Sequence, residues 1–249
     1  MSDRPFLHRY ELDQTRPTFG QALKDLGARS LPGAIALFAV LLGLGFLIVG
    51  PLHSLKGEDD VNRWLQTHRG PAIDSVTQVF SIMGNTEYAI GICLVVIAVV
   101  WWRTKQWWYA VLPGIAMALQ AMIFVPVTNI VDRERPIEGP GLAHLDPAPP
   151  TASYPSGHTG AAFALYITVA LMAQRIQTPW LRRLVTTVAV ILPFLVFFAR
   201  VFRGMHHVSD CTVGMLNGLI CMLLAWRYLR RDEGGTTRPD RSPAATSAA

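Results

Sequence analysis

The sequence is poor in charge. Only 16% of its 249 residues are Asp, Glu, Lys or Arg, while 51% are hydrophobic; soluble domains usually carry about 25% charged residues. With a mean hydropathy of +0.31, that deficit excludes an ordinary soluble domain and points to a membrane protein. Cysteine is scarce as well. Cys93, Cys211 and Cys221 are odd in number and lack metal-ligand spacing. They build neither a disulfide framework nor a zinc site, and read as small buried hydrophobes. No internal repeat is evident, so a transporter made of inverted repeats gains no support. The net charge is +5, but the basic residues lie in short segments between apolar runs. A nucleic-acid interface needs a continuous stripe, and none exists.

What the chain does have is long apolar runs. A helix crossing a bilayer needs about 20 apolar residues, with a range of about 17–25. Six stretches come close, at about 31–52, 87–103, 107–127, 157–174, 184–202 and 209–228. The first begins 30 residues in, with no small-residue cleavage site after it, and so reads as a span and not a cleaved signal. Between the first two spans, Trp64, Leu65, Ile73, Val76, Val79 and Phe80 recur at roughly helical spacing among polar residues. This predicts one or two amphipathic helices near the interface. The fold expected is all-α, a polytopic six-helix transmembrane bundle with an amphipathic outer-face segment between spans 1 and 2. Its organisation reads as a cytoplasmic N-terminal segment, 1–30, a membrane domain, 31–230, and a disordered tail, 231–249, rich in Gly, Pro, Ser and Thr. With six spans and both termini on one side, fifteen of the 22 Lys and Arg residues share that side and seven lie opposite. Cytoplasmic loops are enriched in Lys and Arg, so both termini are expected in the cytoplasm. Trp101, Trp102, Trp107 and Trp108 bracket the intervening turn as an interfacial belt.

On the opposite side three polar patches fall near span ends: "DRERP" (132–136), "PSGH" (155–158) and "ARVFRGMHHVSD" (199–210). Each alone reads as loop polarity or a plain helix start. Together their chemistry is complementary. Arg135 and Arg200 offer planar donor forks suited to phosphate oxygens. Gly157 opens a helix whose N-terminal N–H groups attract anions, and Ser156 precedes it as a cap and hydroxyl donor. His158, in the first turn, is placed to give a proton to a leaving oxygen. His206 and Asp210 are four apart and His207 and Asp210 three apart, so spacing lets either histidine meet the carboxylate. Two arginines, an anion-binding helix end, a nucleophilic histidine with an orienting carboxylate and an acid histidine suit phosphoryl transfer through a phosphohistidine.

These blocks resemble the integral-membrane type 2 phosphatidic acid phosphatases, within the superfamily that also holds vanadium haloperoxidases and bacterial acid phosphatases. The family pattern is Lys-x6-Arg-Pro, Pro-Ser-Gly-His and Ser-Arg-x5-His-x3-Asp. Arg135-Pro136 matches the end of the first, Pro155-Ser156-Gly157-His158 all of the second, and Arg200, His206 and Asp210 the third. That register selects His206 over His207. Two positions depart from it: Thr128 stands at the family lysine and Ala199 at the serine before Arg200. The resemblance spans about residues 85–228. It implies that His206 attacks phosphorus, Asp210 orients it and His158 serves as acid and then base. It also implies that Arg135, Arg200, Ser156 and Gly157 hold phosphoryl oxygens, with Arg133 and Thr128 as further candidates and Arg133 partly replacing the lysine. No metal or other cofactor is implied. The expected partners are a lipid phosphate and the bilayer, with no nucleic acid. The expected substrate is a phosphatidate-like lipid or a polyprenyl diphosphate, hydrolysed at the extracytoplasmic face of the cell membrane. Two alternatives are a non-catalytic protein that binds or transports a lipid phosphate, and vanadate-dependent halide oxidation.

Overall fold

The computed structural model describes residues 5–55, 57–136, 144–146 and 151–230. All regular structure among them is helical. The α-helices are α1 (Pro5–Leu12), α2 (Phe19–Arg29), α3 (Leu31–Val49), α4 (Glu58–Thr67), α5 (Pro71–Met83), α6 (Thr86–Thr104), α7 (Trp107–Ala110), α8 (Leu112–Val131), α9 (Gly157–Met172), α10 (Pro179–Phe202) and α11 (Val208–Trp226). The tail expected to be disordered, 231–249, lies outside the described residues.

Among the described residues, five helical stretches are long and apolar enough to cross a membrane: Phe19–Val49, which runs through α2 and α3, Thr86–Thr104, Leu112–Val131, Pro179–Phe202 and Val208–Trp226. The remaining expected span, 157–174, corresponds to α9, which has only 16 residues. At 1.5 Å per residue it is about 24 Å long, short of a hydrocarbon core of about 30 Å. Its place explains its composition. α9 packs against α8, α10 and α11 and is small or apolar on nearly every face, as a helix ringed by others must be. Along the α9–α11 seam the backbones touch. A Cβ on Gly214 would lie 2.4 Å from the Ser156 carbonyl oxygen, and one on Gly218 2.4 Å from that of Gly160. Small residues four apart permit such contact between helices that have no hydrophobic drive to associate in lipid.

The segment between the first two spans folds as two helices, α4 and α5. Their polar residues Asn62, Gln66, Thr77 and Ser81 are buried, while Trp64, Val76 and Val79 are exposed. The apolar face is turned outward and the polar face toward the bundle. Asn62 shows why: its Nδ2 donates to the carbonyl oxygens of Val201 and His206, both at 3.2 Å.

At the other end the N-terminal residues close the bundle. The last carbonyls of a helix have no partner within it. Here Ser30 Oγ donates to Leu224 O at 3.0 Å, Tyr10 OH to Trp226 O at 3.0 Å and Arg29 Nε to Arg227 O at 2.9 Å. Tyr10, Trp108, Tyr109, Trp226 and Tyr228 form one buried cluster there.

Candidate active site

Three connections between helices meet at the opposite end of the bundle. The α8–α9 connection carries Arg133, Arg135, Thr151 and Ser153; the α10–α11 connection carries Arg203, His206 and His207; and Asn85 precedes α6. A cavity of ≈ 530 Å³ opens among them and runs down between α6, α8 and α9. Arg135, Thr151, Gly157, His158 and His206 line its polar end. His158 also lines an adjoining, more polar cavity, together with Ser81, Asn85, Asp146 and Arg200. The sequence-selected residues Arg135, Gly157, His158, His206 and Arg200 thus face two cavities that share His158. Ser156 and Asp210 stand behind them.

His206 and His207 differ sharply. A carbonyl only accepts, so the 2.7 Å contact between His206 Nδ1 and Ser153 O puts the proton on Nδ1. The buried Nε2, without a partner among the described residues, keeps its lone pair. Burial first, then the charges of Arg200 and Arg135, hold the His206 imidazole well below its ordinary value near 6.5. It is therefore neutral at neutral pH. Both ring nitrogens of His207 lie against carboxylates, Nδ1 at 3.1 Å from Asp210 Oδ2 and Nε2 at 3.3 Å from Asp59 Oδ1.

The i,i+4 reading of His206 and Asp210 needs correction. α11 begins at Val208, so His206 precedes the helix. Among the described residues no hydrogen bond joins the two. Asp210 instead accepts from the backbone N–H of His207 at 2.9 Å, from Arg133 Nη1 at 2.6 Å and from Ser153 Oγ at 2.6 Å. Ser153 is the link. Its N–H donates to Arg133 O at 2.8 Å, its hydroxyl binds Asp210, and its carbonyl holds His206.

Arg133 and Thr128, the candidate substitutes for the family lysine, line neither cavity. Arg133 is 2% exposed. Nη1 reaches Ser209 Oγ at 2.7 Å as well as Asp210, and Nη2 donates to Ser54 O and, at 3.1 Å, to Glu58 Oε2. A guanidinium so engaged neutralises buried carboxylates and leaves no fork for a ligand. Thr128 is fully buried, and its Oγ1 donates to Ala152 O at 3.4 Å.

Arg135 donates Nη1 to Met205 O and Nη2 to Thr151 O at 2.8 Å, which pins the head of the cavity. Arg200 Nη1 meets Ser81 Oγ at 2.8 Å and Asp146 Oδ2 at 3.1 Å, while its buried Nε has no partner among the described residues. Asp146 also binds Arg203 Nη2 at 2.7 Å. Burial alone would raise the Asp146 carboxyl. Hydrogen bonds from Arg203 and Ser81 and the charges of Arg200 and Arg203 outweigh it and hold the carboxyl below the usual carboxylate range. His158 Nε2 lies 3.0 Å from Asn85 Oδ1, so the proton sits on Nε2. Ser156 caps α9, its Oγ accepting from Thr159 N at 3.4 Å.

Sequence reasoning missed Asn85, Ser153, Asp146 and Glu58. An Asn ahead of an apolar run is a helix-start signal, and so is the acidic run at 58–60. Ser153 and Asp146 carried no motif of their own.

The family model described as the PAP2 superfamily matches residues 107–233. The chain is 26% identical over 164 residues to the undecaprenyl-diphosphatase BcrC of Bacillus subtilis (strain 168), covering 65% of this chain and 78% of that protein. Its fold is similar to that of the PAP2 type phosphatidylglycerolphosphate phosphatase from Bacillus subtilis, with a TM-score of 0.64, 22% identity, and coverage of 77% of this chain and 93% of the other. It is also similar to Aquifex aeolicus LpxE, with a TM-score of 0.53, 20% identity, and coverage of 67% and 92%. With the family model covering half of the chain and an all-helical fold that brings the three motif blocks to one end, this protein belongs to the PAP2 superfamily.

Proposed function

We propose that the protein is a membrane lipid phosphatase working through a phosphohistidine on His206. One observation carries this reading: His206 presents an unpartnered Nε2 at a cavity it shares with His158 and Arg135, while its Nδ1–H is held from behind. The engagement of both His207 nitrogens by carboxylates supports the choice of His206. The resemblance to an undecaprenyl-diphosphatase supports a lipid phosphate or diphosphate as substrate.

In the first step the Nε2 lone pair attacks phosphorus and the bond from phosphorus to the lipid oxygen breaks. That oxygen takes a proton from His158 in its imidazolium form, which leaves the ring neutral and ready to act as base. In the second step water attacks phosphohistidine, its proton returns to His158, and the P–N bond breaks to release phosphate. Asp210 acts through Ser153, whose carbonyl keeps the His206 ring oriented. Arg135, Arg200 and the N–H groups at the start of α9 stabilise charge on the phosphoryl oxygens as it builds, with Ser156 shaping that helix end. Arginines and backbone N–H groups handle the charge in this scheme, so release is expected to persist in EDTA.

α9 serves as the sixth span, its short length made up by the polar connections above it. The 31–230 unit is the membrane domain, the termini lie in the cytoplasm, and the site faces the extracytoplasmic side. The exposed apolar faces of α4 and α5 rest in the outer interface.

Phosphate release by purified protein in detergent, from phosphatidate and from a polyprenyl diphosphate, tests the activity. Release in EDTA that His206→Ala abolishes supports it; a His206→Ala variant as active as the parent ends it. For sidedness, a cysteine placed near Arg69 should react with an impermeant reagent from outside and one near Lys105 should not. The reverse pattern inverts the topology.

A further inference from the structure

One buried polar group takes no part in this chemistry. Gln120, on α8, lines the ≈ 530 Å³ cavity and is 3% exposed. Its Nε2 has no hydrogen-bond partner among the described residues. The wall around it is apolar, with Cys93, Ile97, Met117 and Ala121. A buried amide without a partner is costly, and a leucine there would fill the same space without that cost.

The fold holds this amide in place. A Cβ on Gly160 would lie 2.5 Å from Gln120 Nε2, so the glycine makes room for it. From α11, Asn217 Nδ2 donates to the Gln120 carbonyl oxygen at 3.3 Å and fixes the backbone. Its depth follows from the helix. Phe124, four residues on, lies against Gly157 at the phosphate end of the cavity, where a Cβ would meet its ring at 2.6 Å. Four helical residues rise about 6 Å, so Gln120 sits about one turn below the phosphoryl position. In an ester-linked glycerol phosphate the acyl carbonyls come one glycerol unit beyond the phosphate. In a polyprenyl phosphate that depth holds only hydrocarbon.

We infer that Gln120 is a specificity-determining residue, its amide donating to an acyl ester carbonyl of the bound lipid. This selects ester-linked glycerol phosphates over tails without a polar atom at that depth. The inference rests on the phosphatase reading for the position of the phosphoryl group.

Two lipids test it: dioleoyl phosphatidate and its dialkyl ether analogue, which lacks the two carbonyls. In detergent micelles the parent protein should show an ester-to-ether ratio of kcat/KM of about three to ten, the scale of one neutral hydrogen bond. Gln120→Leu should bring that ratio to about one. A parent ratio near one, or a Gln120→Leu protein that keeps the parent ratio, overturns the inference; an equal fall on both lipids belongs to the second case and marks a packing role. If Gln120→Leu does not fold, Gln120→Met gives the same comparison. The rise in Tm on adding each lipid repeats the test without turnover. A parent protein that releases phosphate from neither lipid, yet is stabilised more by the ester, fails as a phosphatase and still supports Gln120. Equal stabilisation by both lipids in that case overturns the role of Gln120 too.

Discussion

The two ends of the bundle hold arginines in different company. At the end closed by α1, the cations rest mainly on carbonyls and rings. Arg9 donates to Leu229 O at 2.9 Å, Arg175 stacks 4.4 Å over Tyr109 and Arg227 lies 5.5 Å from the Phe6 ring centroid. At the other end Arg133, Arg200 and Arg203 pair with Asp210, Glu58 and Asp146. The first arrangement satisfies helix ends and staples the N-terminus. The second sets the position and charge of groups that line a cavity, among them His206 and Arg200. The contrast teaches that burial alone does not mark a functional arginine. Within the site end itself, both terminal nitrogens of Arg133 are held by acceptors and it lines neither cavity, whereas Arg200 lines one.

Substitutions test this division, beginning with the largest effect. His206→Ala should lower phosphate release by about 10⁴-fold or more while circular dichroism stays helical. Residual turnover near that of the parent would remove the site end from the chemistry. Next, Arg200→Ala should lower kcat by about 10²–10³. Arg133→Met should instead cost about 3–5 kcal/mol of stability, because it strands the Asp210 carboxylate in the interior. Equal effects of the two on kcat and on Tm would erase the difference between a cavity-lining arginine and one that only neutralises buried carboxylates. Ser153→Ala should lower kcat about tenfold with little change in KM, since it loosens the tie between Asp210 and the carbonyl that orients His206. A direct action of Asp210 on His206 predicts no such loss.

The depressed titration of His206 sharpens the comparison in another way. The neutral imidazole survives as pH falls through 6.5, so the acid limb of kcat/KM, which reports the free enzyme, should lie below 6.5. The same shift works on stability. The unfolded chain takes up this proton from about pH 6.5 downward while the folded chain does not, so stability is lost as pH falls through that window. Tm and kcat/KM measured from pH 8 to pH 5 check both, and an acid limb centred above 6.5 contradicts the shift. The smallest effect belongs to the far end. Tyr10→Phe removes the hydroxyl on Trp226 O and should cost about 1 kcal/mol of stability with kcat/KM unchanged.

Much of this was legible in the chain itself. Apolar runs of bilayer length, the PSGH start of α9 and the Arg-x5-His-x3-Asp spacing are local patterns, and local patterns survive folding. Five of the six expected runs became helices of spanning length, and the sixth became the shorter α9 at the centre. The wiring behind the motif was not legible. Helical spacing suggested a direct contact between His206 and Asp210, but a helix that starts at Val208 puts His207 on the carboxylate and Ser153 between the other two. Arg133 reads from sequence as a spare phosphate ligand, but in the fold Glu58, 75 residues away, lies across from it.

The sequence by itself determined the helical class, its affinity for a membrane and which residue types gather at one end, because hydropathy and motif spacing are properties of neighbours along the chain. Only the tertiary structure decided which arginine faces a cavity, which nitrogen of which histidine is bare and which cavity a lone glutamine lines. Those depend on contacts between segments up to some 150 residues apart, and a buried polar group has no address until its partners are packed around it.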